Sequence, residues 1–144
     1  MNARFEFCST PWIDAMRRII EEEIDTGLLA AVEYSQSEEF SNPPEHLRHD
    51  GALTIGYTIL IADGRVQVLD RPSVDVLFHV VGDYALMADV ARTPFGVAGV
   101  PHHVAELLRR AVDAGTLHID GSRAARPEAL DSLGLHDRMA ALTS

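Results

Sequence analysis

The sequence predicts an α+β fold: a five-stranded, mainly antiparallel sheet with helices packed on one side. Three observations carry that reading. Residues 53–61 alternate apolar and polar side chains at the period of a strand. An Asp63-Gly64 pair follows at once, the dipeptide that a tight hairpin prefers because its central residues need positive φ. Residues 12–24 and 104–112 instead repeat their apolar side chains at helical spacing, on either side of a strand-rich middle.

Taken in order, the first helix has Thr10 as its predicted cap and Pro11 in its first turn. Trp12, Ile13, Met16, Ile19, Ile20 and Ile24 form its stripe, and Gly27 stops it. Its polar face, with Arg17, Arg18, Glu21, Glu22 and Glu23, turns acidic where a membrane-surface helix wants basic residues, so the stripe is assigned to a core. Residues 28–40 read as a half-exposed strand, with Ala31, Glu33 and Ser35 opposite Val32, Tyr34 and Gln36. Ser41, Asn42, Pro43 and Pro44 open a loop that lasts to Asp50. In 53–61, Leu53, Ile55, Tyr57, Ile59 and Ile61 share one face, opposite Thr54, Gly56 and Thr58; residues 66–69 return from the hairpin.

Residues 74–81 make a fourth strand, with Val74, Val76, Phe78 and Val80 opposite Asp75, Leu77, His79 and Val81, and Gly82-Asp83 ending it. Asp83 then caps a short helix through Tyr84, Leu86, Met87 and Val90, which Thr93-Pro94 stops. The apolar run 95–101, loosened by Gly96 and Gly99, reads either as a connector at a pocket mouth or as buried filler. Pro101 starts a helix whose inner stripe is Val104, Leu107, Leu108, Ala111 and Val112, with Gly115 as its stop. Residues 116–120 form a short strand with Leu117 and Ile119 on one face. Pro127 opens a last helical stretch, broken at Gly134 and resumed by Leu135, Met139 and Leu142.

Composition excludes several classes. At 144 residues, 47% hydrophobic, the chain suits one domain over 1–144. Twenty-two acidic against twelve basic residues give a formal charge of −10, which repels nucleic acid and anionic membrane. Every basic residue is arginine. Without lysine there is no Schiff-base nucleophile, no lysine-bound pyridoxal phosphate and no Walker-type phosphate loop. Cys8 is the one cysteine, which allows no internal disulfide and fits a reducing cytoplasm. Residues 1–30 hold no signal-like apolar run, and no eighteen-residue apolar stretch is present, so a soluble protein without an integral membrane segment is expected.

No polar reaction centre assembles from spacing. His102 and Glu106 share a helix face beside His103, but two ligands are not a metal site. His136-Asp137, with Arg138, has the makings of an acid–base pair, and His79 lies near Asp83 and Tyr84; neither group has a nucleophile beside it. No Gly-x-Ser-x-Gly elbow and no phosphate-binding glycine fingerprint is present. The expectation is no metal, no cofactor and no catalytic residue.

The runs Tyr57-Thr58-Ile59-Leu60-Ile61-Ala62-Asp63-Gly64-Arg65-Val66, Val74-Asp75-Val76-Leu77-Phe78-His79-Val80-Val81-Gly82-Asp83-Tyr84 and Ala114-Gly115-Thr116-Leu117-His118-Ile119-Asp120-Gly121 resemble the sterol carrier protein type 2-like domain. The Ser9-Thr10-Pro11-Trp12 opening looks like the first helix of stand-alone bacterial members. The likeness covers about residues 53–133. It departs at Thr116, where lysine is usual, at Val74, where alanine is usual, and over Thr93 to Pro101 with the following helix. The resemblance implies a five-stranded sheet with helices on one side, enclosing an apolar tunnel for lipids such as sterols, fatty acids or acyl-coenzyme A, and no catalysis through this domain.

The expected function is therefore binding or carriage of a hydrophobic small molecule between sheet and helices, with Trp12, Met16, Phe78, Met87 and Phe95 as lining residues. Core packing is the competing role for each, since stripe periodicity does not distinguish packed side chains from a tunnel wall. Two other classes stay open. One is a small non-covalent isomerase or cyclase using His79, Asp83 or Tyr84 on a hydrophobic substrate; the other is an interaction module that forms a homodimer through its apolar face.

Overall fold

Residues 3–144 are described by the structure, a computed structural model, without the side chain of Arg123. Alternation and turn chemistry produce the central hairpin, β2 (Thr54–Ala62) and β3 (Arg65–Leu69). Asp63 and Gly64 take φ of 53° and 72°, matching the turn to the strand twist. Antiparallel to β2 runs β1 (Tyr34–Ser41), with β4 (Phe78–Asp83) parallel on its far side and β5 (Leu117–Gly121) antiparallel at the edge. The order is β3-β2-β1-β4-β5. Since β1 and β4 are its one parallel pair, the sheet is mixed but mainly antiparallel.

The helices cover one face. They are α1 (Thr10–Glu23), α2 (Tyr84–Ala91), α3 (Val100–Asp113), α4 (Glu128–Asp131) and α5 (Leu135–Leu142). Inward positions such as Phe40, Ile59, Ile61, Phe78 and Leu117 are buried beneath them. The helix α1 meets β3 and α5, α2 meets β4, and α3 meets β5. Arg17, on the polar side of α1, donates from Nε and Nη2 to the Val68 carbonyl at 3.1 and 2.9 Å, which ties the helix to the edge hairpin. Among the described residues no helix is long and apolar enough to cross a membrane.

Several boundaries differ from the sequence expectation. Ser9, not Thr10, caps α1, its hydroxyl accepting from the Trp12 amide. Residues 28–33 are not strand, because Asp25 takes the Gly27 amide and nucleates a 3-10 turn over Thr26–Leu29. Leu53 lies one residue before β2 and is 76% exposed. Residues 74–77 are not strand either: residues 70–77 form a strap that carries the chain from β3 to β4 across the face opposite the helices. Thr58 donates its hydroxyl to the Arg71 carbonyl, while Ser37 and Ser35 accept the Ser73 and Leu77 amides. These hydroxyls satisfy strap backbone groups that the sheet would otherwise leave unpaired. Val112, expected in the inner stripe of α3, faces solvent, and Ile119 on β5 is left 51% exposed although it shares the inward face with Leu117.

Candidate functional site

Period-two geometry sends Gln36 and Glu38 of β1, Tyr57 and Ile59 of β2, Phe78 and Val80 of β4, and Leu117 and Ile119 of β5 toward the helices. Between these side chains and the helical layer lies a cavity of about 520 Å³. Its roof comes from Trp12 and Met16 of α1, Met87 of α2, Val104 and Leu108 of α3, and Leu135 and Met139 of α5. The α3 side is open: Pro101 and Ala105 are exposed cavity-wall residues, and α3 buries just Val104 and Ala111. The exposed Ile119 marks the same rim.

All five sequence-predicted lining residues lie on this wall: Trp12, Met16, Phe78 and Met87 are buried and Phe95 is half-buried. Trp12 also belongs to an aromatic cluster, its ring 5.0 Å from Phe7 and 5.7 Å from Tyr57. Its indole N–H donates to Thr143 Oγ1. It therefore packs and lines at once.

The floor carries polar groups that composition and motif reading did not single out. The Tyr57 hydroxyl donates to Glu38 Oε2. Burial, and then the Glu38 charge, push the Tyr57 phenol well above its ordinary range, so it stays protonated and remains a donor. The Tyr34 hydroxyl donates to Gln36 Oε1 at 2.8 Å. Arg126 Nε lies 2.7 Å from Asp131 Oδ1 as an ion pair, though its buried N–H is not aligned for a hydrogen bond. Cys8 is buried nearby, and burial followed by the Glu38 charge raises its thiol far above the range of a reactive cysteine.

The connector beyond α2 is fixed by α5. Asp137 accepts the Phe95 amide at 2.7 Å and the Gly96 amide at 2.9 Å. His136 stacks on Phe95 with ring centroids 3.5 Å apart, and its Nε2 meets the Thr93 carbonyl at 2.8 Å. A β-carbon at Gly96 would fall 2.9 Å from Asp137 Oδ2, so glycine lets the carboxylate sit against both amides. His136 and Asp137 thus hold a loop and do not form an acid–base pair.

The proton-transfer candidates do not meet at the cavity. His79 lies on the opposite face of the sheet, 3.3 Å from Glu39. Asp83 caps α2 through the Leu86 amide and accepts from Asn42. The Tyr84 hydroxyl donates to the Phe7 carbonyl. His102 and His103 are exposed at the start of α3, and no group of three metal-ligating side chains is found among the described residues.

No family model and no curated protein matches the sequence. Solved structures do match its fold. A conserved hypothetical protein of Thermus thermophilus, described as a possible sterol carrier protein, aligns over 100% of this chain and 96% of its own, with a TM-score of 0.54 and 15% identity. The sterol carrier protein domain 2 of Helicoverpa armigera aligns over 96% of this chain and 93% of its own, with a TM-score of 0.50 and 14% identity. At such identities the likeness is one of fold.

Proposed function

We propose, from a chain that carries the sterol carrier protein type 2-like fold, that this protein reversibly takes up an apolar or amphipathic small molecule in the space between its sheet and its helices. The observation that carries the reading is the cavity of about 520 Å³ walled by Trp12, Met16, Phe78, Met87 and Phe95. Its size falls in the range of small-molecule sites. The names of the two fold relatives, one a possible sterol carrier protein and one a sterol carrier protein domain, fit the same reading.

The driving force is removal of hydrocarbon from water. At about 25 cal/mol per Å², a ligand hiding roughly 300 Å² gains roughly 7 kcal/mol before the cost of association is subtracted. Three methionines, Met16, Met87 and Met139, suit such a wall, because a flexible, polarisable thioether adapts to irregular guests.

Trp12 is the single tryptophan and supplies the assay. Titration with lipids of graded chain length is expected to shift its emission saturably, with affinity rising as methylenes are added until the cavity is full. Native mass spectrometry is expected to show a matching one-to-one adduct. Emission that stays constant, with no adduct for any lipid, overturns the proposal.

A further inference from the structure

An apolar guest site does not require a carboxylate in its floor, yet Glu38 projects there from β1, two residues from Gln36 on the same face. Glu38 Oε2 is occupied by the Tyr57 hydroxyl, whereas Oε1 receives no hydrogen bond from any described residue. Gln36 is 4% exposed; its carbonyl is taken by Tyr34, and its amide nitrogen has no partner among the described residues. The one guanidinium described on the wall, Arg126, is balanced in charge by Asp131, although its buried Nε–H has no aligned acceptor. The floor therefore presents an unfilled anionic acceptor beside an unfilled amide donor.

We propose that the buried end of the ligand is a hydrogen-bond donor, a hydroxyl or an ammonium group, received by Glu38 Oε1, and that Glu38 discriminates against free carboxylates. This rests on the cavity-binding reading and adds a head-group preference to it. An ionised carboxylate is an acceptor alone, so a donor must complete it. A hydrogen bond to a charged group is stronger than a neutral one. A ligand carboxylate at the same place sets two like charges together, a repulsion that a hydroxyl or an ammonium group does not meet. A hydroxyl also has lone pairs to offer the Gln36 amide.

The test uses the full chain and three probes of one chain length, dodecanol, dodecylamine and dodecanoate, each titrated near neutral pH against Trp12 emission. Dodecanol and dodecylamine are expected to bind at least about tenfold more tightly than dodecanoate. In Glu38→Gln, whose amide carbonyl still accepts from Tyr57, the preference is expected to shrink to within about threefold, dodecylamine losing most. Dodecanoate binding as tightly as dodecanol to the wild-type protein overturns the proposal, as does a Glu38→Gln protein that keeps the wild-type order. The wild-type comparison is decisive even where the variant does not fold. Equal binding of all three probes removes the head-group preference and leaves the cavity reading standing; binding of none removes both.

Discussion

Thr143 Oγ1 accepts the indole N–H of Trp12 at 2.9 Å and donates to the Met139 carbonyl at 2.6 Å, closing a contact across 131 residues of chain. Both partners are buried, so solvent is not at hand to take over a lost bond. Thr143→Val keeps the shape and strands the indole donor, a loss of about 1–3 kcal/mol. Urea unfolding is expected to show a lower midpoint with an unchanged slope. An unaltered midpoint would mean that the bond contributes nothing.

How far this architecture was legible depends on where local chemistry met tertiary demand. The hairpin at Asp63-Gly64, the Asp83 cap of α2 and the break at Gly134 follow from residues acting on their own backbone. The strap did not read as a strap: Val74, Val76 and their neighbours have the composition of a strand, and their diversion depends on Ser35, Ser37 and Thr58, hydroxyls contributed by other strands. Glu38 was readable in principle. With Tyr34 and Phe40 buried, alternation puts Gln36 and Glu38 between them on the same face. Arg126 has no such periodic signal, because it lies outside strand and helix.

Asp137 gives the connector its fixed shape by accepting two successive amides, those of Phe95 and Gly96. Asp137→Ala removes both acceptors and leaves the Phe95–His136 stack as the remaining restraint. Hydrogen exchange at the Phe95 and Gly96 amides is expected to quicken by about tenfold or more, with the sheet amides unaffected. Exchange that stays at the wild-type rate would show that the stack alone holds the loop.

Alkaline pH acts through the phenols and, in the same sense, through the buried Cys8 thiol. Tyr84 is pushed up to about 12 by burial and then by the Glu6 charge, and Tyr57 is raised further by burial and then by Glu38. In the unfolded chain both ionise near pH 10. Between pH 10 and about 12 the unfolded state binds fewer protons than the folded one, so stability falls as pH rises; below pH 10 the contribution of the phenols is fully present. Unfolding in urea across this range is expected to give a negative slope of stability against pH, shallower in Tyr84→Phe. Equal slopes in Tyr84→Phe, Tyr57→Phe and the wild type would remove the phenols as its cause.

Val80 distinguishes a guest space from a filled core. It is buried on β4 and forms part of the cavity wall. In a closely packed interior, Val80→Phe would force neighbouring side chains off their rotamers at a cost of about 1–3 kcal/mol. Where the layer holds about 520 Å³ of free volume, the added ring has somewhere to go. The expected result is a stability within about 0.5 kcal/mol of the wild type together with at least about tenfold weaker dodecanol binding, since ring and ligand compete for one volume. A variant that loses about 2 kcal/mol or more while binding unchanged would mean that Val80 faces filled space and that the ligand lies elsewhere.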